Sequence, residues 1–472
     1  MSYSIEPDYY QQYVFPPRLE DLLPSDHPAR FLRTFVDLLD LDELGFRPSP
    51  GNDGRPHYAN SMKLKIWLYG YFRRLYSTRQ LEDGCQNDLG LLFLTGLHYP
   101  SHSTLWSFFD LNREAIRELF ISVTETALKA GLIGFTLHAL DGTKIQAKVS
   151  TRTGWKSRDL MKMLKDVDSS IDEIIEKIES SNQEEQDSCK LPEKLQDQEK
   201  LKTEIESILC EMKAINREHL HKSDKDARMM KNSKVKDYSF NAQAVVDDES
   251  GLIVAEDVVN DETDNKMLVP MIEKVEDNLD EKADETVADG GFYSPEQLVK
   301  AEEKGHDVLV NIGKNVAPKK GDKPFHKSKF KYDKKSDVFI CPLGRELTFS
   351  REKKSRHGKY TLRTFRCEFY RNCPQRSSCS GDKRGRTIEM GPHHEALQRQ
   401  IQKQKVPDNK ELLAKRKQIV EPVFGIIKEN YGFRRFTVRG LENVRTQWSL
   451  ICTSYNLRKL FKVWSAGKLE FA

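Results

Sequence analysis

The order of extended and helical segments between residues 134 and 312 constrains the fold more than any other feature of this 472-residue sequence. Alternating or continuous apolar residues bounded by turn residues indicate strands, and apolar residues three and four positions apart indicate helices. The predicted strands are 134–147, 238–246, 251–258, 285–288 and 307–312, and the predicted helices are 264–278, 295–304 and 408–430. The order β, β, β, α, β, α, β with a distant final helix predicts an α/β fold.

Two segments interrupt this order. Between residues 158 and 217, apolar side chains recur in steps that alternate between four and three, which is the signature of a coiled-coil seam. The polar stretch 180–193 divides the seam, so we predict an antiparallel helical hairpin whose seams pair with each other or with a second chain. The second interruption, 313–395, is basic and Gly-rich and holds four of the eight cysteines.

Residues 59–130 have the pattern of several short helices joined by polar turns. Met62, Ile66 and Tyr69 recur at helical spacing, and the stretches STRQLEDG and PSHSTLWSFF are typical of helix starts capped by Ser or Thr. This pattern fits a helix-turn-helix-like DNA-binding region, and it fits a plain helical bundle equally well.

The net charge of +3 conceals a strong asymmetry. Residues 317–390 contain 21 Lys and Arg against 8 Asp and Glu, and residues 396–462 contain 15 against 5. These blocks carry +13 and +10, so the rest of the chain carries −20. Concentrated positive charge on a nearly neutral protein favours binding to a polyanion such as nucleic acid, although a solvated charged face has the same composition.

Membrane and secreted classes are disfavoured. The chain has no run of 18 apolar residues, and its first residues, MSYSIEPDYYQQYVF, lack the basic and apolar regions of a signal peptide. Eight cysteines in a chain of this length do not indicate a secreted disulfide scaffold. We therefore expect a cytoplasmic protein with no membrane partner.

Three acidic residues stand where a metal site could form. Asp141 lies on or just after the first predicted strand, Asp289 follows the fourth, and Glu421 lies in an apolar run of the last helix. Mg²⁺ takes oxygen ligands, and two such ions can activate a nucleophile and stabilise the leaving oxygen at phosphorus. An Asp before Gly is also common in simple turns, whereas an unpaired carboxylate in a buried stripe is costly. Pro422 either kinks the last helix or marks the start of a new one.

Four cysteines lie close together in the basic segment, namely Cys341, Cys367, Cys373 and Cys379. Four thiolates suit tetrahedral Zn²⁺, but the spacings here, of 25, 5 and 5 intervening residues, are wider than in a usual zinc knuckle. A structural zinc site, free thiols and disulfides therefore all stay open. The remaining cysteines are scattered and receive no role: Cys85, Cys189, Cys210 and Cys452.

Several segments together resemble those of DDE-class bacterial insertion-sequence transposases. ALDGTKIQAKVS resembles the first-acid motif of that family, VADGGFYS the second, and RKQIVEPVFGIIKENYGFRRF with the sequence after it the third-acid helix and tail. The similarity extends through DARMMKNSKVKDYSFNAQAVVD and the helical N-terminal region, so it covers most of the chain. It implies a ribonuclease H-like mixed sheet core in an enzyme that performs two-metal phosphoryl transfer on DNA.

The resemblance also implies a role for each matched acid. Asp141 would be shared by two Mg²⁺ (or Mn²⁺) ions, and Asp289 and Glu421 would each complete one site. In many relatives Tyr and Arg precede the third acid by seven and four residues. Ala414 and Lys417 occupy these positions here, so the acids match the family better than their surroundings do.

Basic residues around the third acid are the expected DNA contacts. In many relatives a Lys follows the third acid by seven residues, and Lys428 occupies that position here. Glu421 and Lys428 are two helical turns apart and share a face. Lys428 would therefore hold a DNA phosphate beside the metals, unless it is an ordinary surface lysine. The predicted DNA-binding residues are Lys417, Lys428, Arg434, Arg435 and Arg439.

The predicted organisation has six parts. They are a helical N-terminal DNA-binding region (1–130), the first part of the core (131–150), the inserted coiled-coil hairpin with its linker (151–235), the continued core (236–312), the basic Cys-containing insert (313–395), and the final core helices with a basic tail (396–472).

The predicted function is a transposase that binds the terminal inverted repeats of an insertion sequence, cleaves the DNA and joins the new 3′ ends to target DNA. Synapsis of two ends predicts a homodimer or higher oligomer on double-stranded DNA. Two alternatives stay open: a ribonuclease H-like nuclease without strand transfer, and a non-enzymatic DNA-binding regulator derived from a transposase. The long inserts argue against the first, and the three intact acids argue against the second.

Overall fold

The computed structural model describes residues 18–47, 57–181, 193–232, 235–312, 324–355 and 360–469. Its first part is helical. A 3₁₀ turn at Leu19–Leu22 is followed by α1 (Pro28–Asp37), α2 (Asn60–Phe72), α3 (Thr78–Asn87), α4 (Leu89–Thr95), α5 (His102–Leu111) and α6 (Arg113–Lys129). The predicted caps form, because the hydroxyl of Ser77 accepts the N–H of Gln80 and the hydroxyl of Ser101 accepts that of Thr104.

A six-stranded sheet forms the centre of the molecule. The first eight strands of the chain are β1 (Leu137–Gln146), β2 (Gly154–Lys156), β3 (His219–His221), β4 (Arg228–Asn232), β5 (Val235–Asp247), β6 (Ile253–Val259), β7 (Glu285–Ala288) and β8 (Val308–Val310). The sheet order is β4-β5-β1-β7-β8, and β6 also pairs with β5. β1, β7 and β8 are parallel, whereas the pairs made by β5 are antiparallel. The sheet is therefore mixed, as the family resemblance implied, and β4 is a strand that the sequence did not predict.

Two long helices, α7 (Ser157–Ser181) and α8 (Glu193–Ala214), connect β2 to β3. β2 and β3 pair antiparallel, which closes the base of the helix pair. Leu160 and Val167 of α7 lie in one buried cluster with Ile205 and Met212 of α8, so the two helices pack on each other within the chain. Most of the polar stretch that was predicted to divide them, residues 182–192, lies outside the described residues.

A second, smaller sheet is built from residues 331–390. Its strands are β9 (Lys331–Asp333), β10 (Val338–Ile340), β11 (Glu346–Lys354), β12 (Thr361–Cys367) and β13 (Thr387–Met390), antiparallel in the order β13-β12-β11-β10-β9. Phe339, Leu347 and Phe365 form part of its own core, and a short helix, α11 (Arg376–Cys379), precedes β13. This sheet was not predicted from the sequence. Two of its strands have only three residues, and β11 is exposed along most of its length, so the apolar pattern is weak.

Helices cover the central sheet. They are α9 (Leu268–Leu279), α10 (Pro295–Glu303), α12 (His394–Lys403), α13 (Pro407–Gly425) and α14 (Leu441–Ser465). α13 packs on β1 and β7 through Ile419, Val420 and Val423, which are buried. α14 packs on both α6 and β6, and its buried Trp448 donates an indole N–H to the carbonyl of Gln243 at 3.1 Å. No helix in the described ranges is long and apolar enough to cross a membrane.

α13 does not break at its internal proline. α13 continues through Pro422 to Gly425, and a π-helical turn, Ile426–Asn430, follows. Pro422 has no N–H, so the carbonyl of Gln418 loses its helical donor. The N–H of Tyr431 donates to the carbonyl of Ile426, five residues earlier, at 2.8 Å. Wider turns of this kind are often found near functional sites.

Candidate active site

Two neighbouring parallel strands place Asp141 and Asp289 side by side. The register pairs Leu140 of β1 with Ala288, the last residue of β7, and each aspartate comes directly after one of these. Neighbouring strands lie about 4.8 Å apart, so the two carboxylates leave the sheet at the same level. β1 itself continues to Gln146, so Asp141 lies within the strand at the point where its neighbour ends.

One arginine joins the two aspartates. From α13, the Arg416 guanidinium donates from Nη1 to Asp141 Oδ2 at 2.8 Å and from Nη2 to Asp289 Oδ1 at 3.3 Å. The Arg416 side chain is 6% exposed and that of Asp141 21%, so solvent screens this contact only weakly. Burial raises the pKa of the Asp141 carboxyl, and both Arg416 and the N–H of Gly142 oppose that shift.

Arg416 is not among the site residues predicted from the sequence. The signal was available, because Arg416 precedes Ile419, Val420 and Val423 by three, four and seven residues, which puts it on the apolar face of the helix. A buried guanidinium is costly unless acceptors receive it, and the two aspartates do so.

Glu421 lies on the same helix but is exposed to solvent. Five residues correspond to about 140° around a helix, so Glu421 and the buried Arg416 occupy different faces. Glu421 makes no hydrogen bond or ion pair with any residue that the structure describes. Within the described ranges, no group of three or more His, Cys, Asp or Glu side chains lies close enough to hold a metal ion. The structure thus brings Asp141 and Asp289 together and leaves Glu421 without a contact to either.

A fourth carboxylate, Asp264, lies next to this pair of strands. It accepts from Asn241 Nδ2 at 2.6 Å and from Gln243 Nε2 at 2.8 Å. A Cβ on Gly142 would come within 2.8 Å of Asp264 Oδ1, and one on Gly291 within 3.0 Å of Oδ2. The glycines that follow the two candidate acids therefore leave room for this carboxylate, which sequence reasoning missed.

The predicted DNA-binding residues lie in two settings. Lys428 is half-buried and donates to the carbonyl of Lys144 on β1 at 3.1 Å, and burial lowers the pKa of the Lys428 ammonium. Lys144 Nζ in turn lies 3.4 Å from Asp264 Oδ1. The exposed side chains are Lys417, Arg434, Arg435 and Arg439.

The four clustered cysteines meet on the smaller sheet. Cys367 ends β12 and is buried, and Cys341 and Cys379 pack against the same core. Burial raises the pKa of the Cys379 thiol, and the neighbouring thiols of Cys373, Cys341 and Cys367 raise it further. All four are free, so no disulfide joins them. They influence one another electrostatically, but no three of these described thiols lie close enough to hold a metal ion.

Comparison with known families gives two matches, one near each end of the chain. Residues 340–461 match a family described as a transposase DDE domain, and residues 17–111 match a transposase domain, DUF772. The first match includes Arg416 and Glu421, whereas Asp141 and Asp289 lie outside both. No curated protein matches the chain.

Proposed function

We propose that this chain is a DDE-family transposase, which the two transposase matches support, and that it binds the terminal inverted repeats of an insertion sequence and catalyses DNA strand cleavage and strand transfer. One observation carries the proposal. Asp141 and Asp289, on neighbouring strands, share a single cationic group, the guanidinium of Arg416.

Divalent metal ions, the cofactors that this family generally uses, fit the two aspartates. The pair already accepts a cation, and carboxylate oxygens are the ligands that Mg²⁺ and Mn²⁺ prefer. Glu421 has no intramolecular partner among the described residues, so its carboxylate is available as the third ligand. When bound, the ions would activate the attacking oxygen and stabilise the leaving oxygen.

The residues around the acids would position the DNA. α13 rests on β1 and β7, which fixes Arg416 against the strand-borne aspartates, and Glu421 lies on another face of the same helix. The ammonium of Lys428 lies against β1, where it would hold a phosphate beside the acids. The exposed Arg434, Arg435, Arg439 and Lys417 would contact the DNA backbone through charge.

We also propose a role for each part of the chain. A ribonuclease H-like core is supported by the sheet order, in which antiparallel strands lead into the parallel β1, β7 and β8. The DUF772 match supports a DNA-binding role for the helices of region 1–130. We further propose that α7 and α8 form a coiled-coil hairpin used to assemble a homodimer or higher oligomer, and that the smaller sheet belongs to a zinc-binding insert.

The test uses purified protein, Mg²⁺, a labelled duplex from the terminal repeats that flank the gene, and a target plasmid. Wild type should nick the repeat ends and join them to the plasmid, and Asp141→Asn and Asp289→Asn should bind the duplex but do neither. Asp277→Asn, an exposed aspartate on α9, is the matched control and should retain both activities. Cleavage without joining would favour the nuclease alternative, and binding without cleavage by wild type would favour the regulator.

A further inference from the structure

Four basic side chains come together beyond the end of β1, on three different elements. They are Arg79 in the first turn of α3, Lys148 just after β1, and Arg435 and Arg439 in the segment between the π-helical turn and α14. All four residues are exposed. Burial lowers the pKa of the Lys148 ammonium, and the guanidiniums of Arg439, Arg435 and Arg79 lie near enough to lower it further.

Hydrogen bonds hold these three elements together. The hydroxyl of Tyr76, just before α3, donates to the carbonyl of Tyr431 at 2.8 Å, and the carbonyl of Tyr76 accepts from Thr437 Oγ1 at 2.8 Å. The N–H of Phe436 donates to the carbonyl of Gln146, the last residue of β1, at 2.9 Å. The start of α3 and the end of β1 are thus tied to the same segment, so the basic cluster is a fixed feature of the fold.

No carboxylate neutralises the cluster: across the described ranges, none of its four side chains forms an ion pair. Two guanidiniums donate to backbone carbonyls instead. Arg435 Nε donates to Ala147 O at 3.0 Å, and Arg439 Nε donates to Lys148 O at 3.1 Å. Carbonyls orient a guanidinium without cancelling its charge. Four like charges gathered in this way repel one another, and an external anion would offset that repulsion.

We propose that this cluster is a phosphate-binding site for the backbone of the element-end DNA, where α3 and the end of β1 contact the same stretch of duplex. The inference rests on the proposed function, because it requires DNA as the substrate. Guanidinium groups bind phosphate oxygens in pairs, and an ammonium adds a compact point charge, so the cluster suits a phosphodiester.

The position of the cluster predicts which phosphates it binds. Lys148 is seven residues beyond Asp141. At about 3.3 Å per strand residue, the Cα atoms of the two residues are at most about 23 Å apart. B-DNA rises about 3.4 Å per base pair, so that distance corresponds to about seven base pairs. The cluster would therefore hold phosphates within about seven base pairs of the cleaved bond and keep the recognised sequence at a fixed distance from the acids.

The experiment uses full-length protein with Arg79→Gln, Lys148→Gln or both, titrated with repeat-end duplex over a range of salt concentrations. Each single change should weaken binding about ten-fold at 0.1 M salt and reduce the slope of log affinity against log salt by about one. The double variant Lys300→Gln/Arg399→Gln, on α10 and α12, removes the same charge elsewhere and should bind like wild type. Thermal unfolding verifies that each variant is folded.

Two results would overturn the inference while leaving the proposed function intact. In the first, wild type binds the duplex and the Arg79→Gln/Lys148→Gln variant keeps its affinity and salt slope. In the second, single uncharged methylphosphonate groups weaken wild-type binding only beyond about seven base pairs from the cleaved bond. The expected result is sensitivity inside that distance, reduced in the double variant. Absence of any DNA binding by wild type would overturn both proposals.

Discussion

Arg416 Nη1 lies 2.8 Å from Asp141 Oδ2, and the arginine that makes this contact is almost completely buried. The bond joins the last core helix to the central strand of the sheet. It also means that neither side chain can be removed alone without leaving a charge in a poorly solvated place.

Arg416→Met should destabilise the protein by about 2 kcal/mol, below the range for fully buried pairs because Asp141 is 21% exposed. The double variant Asp141→Asn/Arg416→Met should be less destabilised than the sum of the single changes, since it leaves only Asp289, whose side chain is 47% exposed, without its cationic partner. Urea unfolding of the four proteins measures this coupling. Lys415→Met, which removes an ion pair made to Asp248 by a lysine that is 48% exposed, is the control and should change little. Strict additivity of the two single changes would contradict the argument.

Glu421→Gln should abolish Mg²⁺-dependent strand transfer while leaving the unfolding midpoint and the affinity for repeat-end DNA near wild type. The side chain is exposed and unpaired in the described structure, so its loss removes a ligand and no packing. Glu411→Gln, an exposed acid at the other end of α13, should keep full activity. Substantial strand transfer by a Glu421→Gln protein free of wild-type contamination would remove Glu421 from the site.

Glu256 on β6 predicts a pH dependence of stability. Burial raises the pKa of this carboxyl from 4.5 to about 7, and its Oε2 has no hydrogen-bond partner among the described residues. Because the folded pKa is the higher one, the contribution of Glu256 to stability is complete below pH 4.5 and is lost as the pH rises through about 7. Glu256→Gln should therefore be more stable than wild type by about 3 kcal/mol at pH 8 and differ little at pH 5. Equal differences in urea unfolding at both pH values would be the contrary result.

The cysteine cluster should bind about one zinc per chain, with the metal drawing the four thiols closer together than they lie in this structure, because four thiols suit tetrahedral Zn²⁺ and none of them is in a disulfide. Metal analysis of purified protein tests this expectation. Cys373→Ser should lower the zinc content, whereas Cys210→Ser, an exposed cysteine on α8, should not. If purified wild type contains no zinc and Cys373→Ser folds as well as wild type, the thiols have no metal role.

Replacement of residues 160–215 by a short Gly-Ser linker should leave the central sheet folded. The buried cluster that joins α7 to α8 is separate from the main core, so its removal uncovers little of that core. We expect binding of a single DNA end to persist and complexes of two ends to be impaired, as gel-shift and light-scattering measurements would report. A shortened protein that still pairs two ends would argue against an assembly role for the helices.

Local patterns predicted most of the central sheet. The strand predicted at 285–288 coincides with β7, and the hairpin predicted from 238 to 258 appears as β5 and β6. The strands of the smaller sheet were missed because β9 and β10 are three residues long and β11 is largely charged and exposed. Such strands carry too few alternating apolar positions for the period of two to be recognised.

The candidate site was only partly accessible from sequence. Asp141 and Asp289 could be identified at strand ends, and their catalytic roles stay predictions. Arg416 could have been found from its helical spacing to buried neighbours. Asp264 could not, because it lies in the loop after β6 and its partners Asn241 and Gln243 on β5 reach it through the pairing of β5 with β6. That contact is set by tertiary structure and leaves no local pattern.

Because the chain is synthesised from its N-terminus, truncated chains lack the helices that complete the central sheet and the site. Arg416 follows Asp141 by 275 residues, and α14, which covers α6 and β6, is made after both. A chain that stops before α13 lacks the arginine, the third acid and the cover of its own apolar sheet at the same time. Exposed sheet surface of this kind promotes aggregation and proteolysis. A premature stop should therefore yield a product that is cleared by the cell, and not a stable fragment that competes with the full-length protein for DNA.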